Sequence, residues 1–77
     1  MVDHLTRVTV YAGAPRAEAL ADALAVLGFA VKRERRRIVA DSSIIGGQEA
    51  KRLLRGRGFE DREYRIFVEY VRQWGIL

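Results

Sequence analysis

Cysteine is absent from the chain, and proline and histidine each occur once. Without cysteine there is no disulfide framework, no thiolate metal site and no cysteine nucleophile. The one histidine, His4, has only Asp3 as an adjacent carboxylate. Sited in a terminus expected to fray, it would need remote residues to build a metal site or a catalytic pair. No Walker-type or dinucleotide glycine motif is present. The most apolar stretch, residues 17–27, is short and carries Glu18 and Asp22, so a membrane span is not expected. The opening MVDHLTRV lacks the basic segment and apolar run of an export signal. The expectation is a cytoplasmic protein that is not an enzyme, takes no cofactor or metal and has no membrane partner.

What is present suits one small folded domain spanning residues 1–77. Hydrophobic residues make up 49% of the chain, too many for a disordered tail. At 77 residues an apolar core is near its lower working size, so self-association into a homodimer would help. Fourteen Lys and Arg against ten Asp and Glu give a formal charge of +4, which favours anionic partners. Twelve of those cations are arginine, whose planar fork matches phosphate and carboxylate. A genome rich in arginine codons would give the same count without any function.

Residues 5–11 alternate, with Thr6, Val8 and Val10 on one side and Arg7, Thr9 and Tyr11 on the other, as in a strand with one buried face. Pro15 is placed as the first residue of a helix reaching about Leu27, with Ala17, Leu20, Ala21, Leu24 and Leu27 on one face. Gly28 fits the left-handed position after its end. Residues 29–33 and 36–40 read as a hairpin turning near Glu34 and Arg35, with one long strand as the competing reading. After a loop over residues 41–47, residues 48–57 form a second helix followed by Gly58 and Phe59, and residues 64–74 a last strand. The two halves echo each other, Leu27-Gly28-Phe29 against Arg57-Gly58-Phe59. The order βαββαβ resembles the ferredoxin-like α+β sandwich, a four-stranded antiparallel sheet with two helices on one face. That fold hosts many unrelated functions.

The densest charge is Lys32, Arg33, Arg35, Arg36 and Arg37 in the hairpin. Such a projection can lie along phosphates, or serve only to deter strand pairing at a sheet edge. On the second helix Lys51, Arg52 and Arg55 share an outer face with Gln48, whereas the first helix turns Glu18 and Asp22 outward. Opposite charge on neighbouring helices also suits a two-fold dimer. A helix-free sheet face would display Arg7, Thr9, Tyr11, Arg65 and Phe67, aromatics beside arginines that suit stacked bases. This is similar to the RNA recognition motif, although the third strand, RRRIVA, lacks that family's aromatic signature. Tyr11 and Phe67 are equally candidates for a dimer interface, and Trp74 for a partner contact. Ahead of the second helix, Ile44 to Gln48 allow an anion site at the helix start assisted by Ser42 or Ser43, or a plain helix start capped by Ser43 or Asp41. Glu60, Asp61 and Glu63 read as a solvated acidic turn.

The leading expectation is a non-catalytic module that binds nucleic acid or a nucleoprotein complex through these arginines. The alternative is a protein-binding regulator or inhibitor that docks on a partner protein or a second copy. Small motif-free domains of this type resemble proteins of phages and mobile elements, including anti-CRISPR inhibitors, though not those that imitate nucleic acid with acidic surfaces.

Overall fold

In the computed structural model, which describes residues 2–72 and the side chains of residues 4–69, the strands and helices alternate as their hydrophobic periods require. The elements are β1 (Val2–Tyr11), α1 (Ala17–Val26), β2 (Ala30–Arg33), β3 (Arg37–Ser42), α2 (Gly47–Gly56), a short 3-10 turn (Asp61–Glu63) and β4 (Arg65–Arg72). The sheet order is β2-β3-β1-β4, and every neighbouring pair is antiparallel. Each helix therefore joins strands that are not neighbours. Both pack on one face, giving the ferredoxin-like βαββαβ arrangement.

The buried face of β1 is the expected one: Thr6, Val8 and Val10 lie opposite Ser42, Ala40 and Ile38 of β3, and all six are buried. Onto them α1 sets Leu20 and Leu24, with Ala17, Ala21 and Ala23 allowing close approach. From α2 come only Ala50 and Leu54. Phe29, Phe59 and Tyr64 complete a single core cluster.

The repeated Gly-Phe pairs are two copies of one helix stop. After α1 the N–H of Gly28 donates to Ala25 O and that of Phe29 to Leu24 O, each at 3.0 Å. After α2, Gly58 donates to Arg55 O at 3.0 Å and Phe59 to Leu54 O at 3.1 Å. In both, the glycine takes a positive φ, 101° and 91°, and the following phenylalanine is buried in the core. A Cβ at position 28 would meet nothing within 4 Å, so the cost of a side chain there is in the backbone alone. Gly28→Ala is expected to destabilise by about 1 kcal/mol. In a thermal melt this is a midpoint lower by about 4–8 °C; an unchanged midpoint would show that this stop does not depend on glycine.

Several sequence expectations shift. Pro15 lies in the turn closed by Ala17 N–H on Ala14 O (3.1 Å), and the helix begins two residues later, because proline at the second position of a turn is equally well served. Residues 29–40 form the hairpin: Arg33 stands opposite Ile38, and Glu34 N–H donates to Arg37 O at 2.8 Å. Neither Ser43 nor Asp41 caps α2. Its N-cap is Gly46 with no side-chain bond; Asp41 is held by Arg7, and Ser42 Oγ accepts from Ile44 N (3.1 Å) and Ile45 N (3.0 Å). His4 is not frayed: it sits within β1 in register with Tyr70, and β1 begins at Val2 because β4 is long enough to pair with it there. Of the last strand expected over 64–74, residues 73 and 74 lie outside the described residues, and Tyr64 stands just before β4 in extended conformation.

Candidate functional site

Register assigns the helix-free face row by row. Tyr11 stands beside Arg37; Thr9 beside Val39 and Arg65, with Lys32 completing that row; Arg7 beside Asp41 and Phe67; Leu5 beside Glu69. Lys32 and Arg65 thus mark opposite edges of one row, about 14 Å apart at the usual strand spacing. Tyr11 is 69% exposed and Phe67 52%.

Ion pairing divides the cations. Arg7 holds Asp41 through two bonds, Nε–Oδ1 at 2.8 Å and Nη2–Oδ2 at 3.3 Å. Arg33, on the helix side of β2, reaches Glu18 of α1 at 2.7 Å, so the acidic face expected on α1 is partly neutralised within the chain. This contact holds Glu18 below the ordinary carboxylate range, chiefly through the hydrogen bond from Arg33. Arg37 pairs with Glu34 across the turn at 2.8 Å, and Arg62 with Glu60 at 2.8 Å. Among the described residues, Lys32, Arg35, Arg36, Arg57 and Arg65 make no ion pair. Four of these five belong to the hairpin or the row that crosses the sheet from it. The tip is itself anchored: Arg36 O accepts the N–H of Ala12 at 2.9 Å, tying it to the end of β1.

The outer face of α2 is basic as expected, but each cation there has a carboxylate. Lys51 (3.5 Å) and Arg55 (2.8 Å) share Asp61, and Arg52 approaches Glu49 at 3.7 Å. Asp61 is held below its ordinary pKa, first by the Arg55 hydrogen bond. The two basic sites read from the sequence do not merge, one lying at the hairpin end of the sheet and the other on the helix layer.

The acidic turn is solvent-exposed at Glu60 and Asp61, as expected, and is also a hub of polar contacts. Arg16 at the start of α1 grips Glu63, donates to Gly58 O at 2.9 Å and lies 4.7 Å from the centre of the Phe59 ring. Glu63 also accepts the Glu60 N–H at 2.7 Å, and it stays ionised below the ordinary range, first through Arg16 and then through that N–H. Tyr64 donates its hydroxyl to Asp61 at 3.3 Å; burial first, and Asp61 next, push its pKa up, so it remains protonated.

The turn forms one wall of a cleft of about 380 Å³ on the helix-free side. Arg62, Glu63, Tyr64 and Arg65 line that wall, and Thr9, Tyr11, Arg36 and Arg37 the other. Neither Arg62 nor Tyr64 was a candidate by sequence, since only the turn's ties to α1 and α2 bring them here. The Tyr11 ring lies against Gly13: a Cβ on that glycine would sit 2.7 Å from Tyr11 Cε2 and 3.0 Å from Cζ. Trp74 lies outside the described residues. The start of α2 borders a second cleft lined by His4, Gly46, Gly47, Gln48, Lys51, Ile66 and Val68, and Ser42 Oγ is already occupied by its own loop. Among the described residues no group of His, Asp and Glu is placed to hold a metal ion, and no helix is long and apolar enough to cross a membrane. Comparison of the chain with family models, with curated proteins and with solved structures finds no match.

Proposed function

We propose that the chain is a non-catalytic binding module that engages nucleic acid, alone or within a nucleoprotein complex, through the hairpin and the adjoining end of its helix-free sheet face. The observation that carries this reading is the grouping of Lys32, Arg35, Arg36 and Arg65, exposed and without ion pairs among the described residues. Uncompensated arginine on a rigid hairpin is suited to phosphate, and its binding energy comes largely from counterion release. With about four phosphate contacts, log affinity falls against log salt with a slope of about −3 to −4. Fluorescence anisotropy over 50–300 mM salt measures it, and binding that is absent at low salt or indifferent to salt sinks the proposal. The second reading, a regulator that docks on a partner protein or a second copy, is favoured by the exposure of Tyr11 and Phe67 on that same face. It would be preferred if nucleic acid failed to bind.

A further inference from the structure

We infer that the ligand of this face is single-stranded nucleic acid, with one base set on the Tyr11 ring in the cleft and its flanking phosphates on Arg36 and Arg65; the inference rests on the nucleic-acid reading above. Tyr11 ends β1 with 69% of its surface exposed, yet its ring is lodged against the bare backbone of Gly13. An aromatic that is exposed but already positioned gives up little conformational freedom when a flat partner covers it. Around it the cleft gathers four arginines: Arg37 and Arg62 are paired with Glu34 and Glu60, Arg36 and Arg65 make no ion pair among the described residues, and the one carboxylate of the lining, Glu63, is taken up by Arg16. At about 380 Å³ the cleft is in the size range of small-ligand sites.

A duplex keeps its bases stacked inside and offers mainly phosphate to such a surface. A single strand offers phosphate and base faces together, and so uses both kinds of group found in the cleft. The register continues the path. Arg65 lies between Tyr11 and Phe67, whose positions are about 14 Å apart on the face by strand spacing. Phe67, 52% exposed, is a second ring on the same face. Beyond it the next row carries Glu69, which makes no ion pair among the described residues and ends the positive stretch.

The test is anisotropy at 50 mM salt with fluorescein-labelled dT12, rU12 and a duplex of 12 base pairs. The single strands are expected to bind more tightly than the duplex. Tyr11→Ala is expected to weaken single-strand binding about tenfold or more, while Tyr11→Phe retains it. Gly13→Ala alters no charge, and its new methyl displaces the ring, so it should weaken single-strand binding and leave duplex binding unchanged. Thermal midpoints show that each variant is folded. Equal binding of dT12 and rU12 by the Tyr11→Ala, Gly13→Ala and unsubstituted proteins overturns the inference, as does a duplex bound as tightly as the single strands. Either result leaves the charged-surface reading in place, whereas no binding to any of the three overturns both.

Discussion

Replacing Leu54 by alanine is expected to remove about 2–5 kcal/mol of stability, the range for emptying a fully buried leucine site. The effect should fall at the upper end because α2 has so little else in the core. Its buried residues are Ala50 and Leu54, and Leu54 is 0% exposed. A domain of this length has a total of about 4–12 kcal/mol, so much of the fold's margin would go. Urea denaturation measures it, with half-buried Leu53→Ala as the milder companion. Equal midpoints for Leu54→Ala and the unsubstituted protein would show that α2 is held by its polar contacts instead. The consequence reaches the candidate site, because Lys51 and Arg55 hold Asp61 and so the turn that presents Arg62, Tyr64 and Arg65.

The largest functional effect is expected from removing charge that makes no ion pair among the described residues. Changing Lys32, Arg35, Arg36 and Arg65 together to glutamine should lower nucleic-acid affinity at 50 mM salt by about four orders of magnitude, since each phosphate contact contributes about 0.7–0.9 to the salt slope. The slope itself should flatten toward zero. Stability should move by no more than about 0.5 kcal/mol per site, as is usual for exposed residues with no partner to lose. The matching triple change of Lys51, Arg52 and Arg55 should cost less than about tenfold in affinity, because carboxylates at Glu49 and Asp61 already offset those cations. If the triple variant lost binding and the quadruple one kept it, the site would lie on α2 and not on the hairpin. Titrations of both variants over the same salt series separate these outcomes.

How far the sequence could be read depended on the range of the interaction involved. The two-residue alternation of residues 5–11 and the stripe of residues 17–27 assigned Thr6, Val8, Val10, Leu20 and Leu24 to the core, and all five are buried. Gly28 and Gly58 announced both helix ends, because a left-handed residue after a helix is a local demand. The start of α2 was misread for a related reason. Asp41, Ser42 and Ser43 all have capping chemistry; the register of β1 with β3 sets Arg7 beside Asp41 and engages it there, while Ser42 bonds within its own loop.

Local sequence alone therefore determined the elements, their inward faces and their order, and from the order the ferredoxin-like sandwich, since periodicity and helix stops act within a few residues of themselves. It also determined that the chain is rich in arginine. Which arginines are available was decided only by tertiary structure. Arg16 meets Glu63 across 47 positions, Arg33 meets Glu18 across 15, and Asp61 draws in both Lys51 and Arg55. Such pairs depend on how strands are ordered and helices laid across them, which charge patterns along the chain do not encode. The strand order β3-β1-β4 likewise brings Arg37, Tyr11 and Arg65 to one end of one face, and packing of the acidic turn against α1 and α2 adds Arg62.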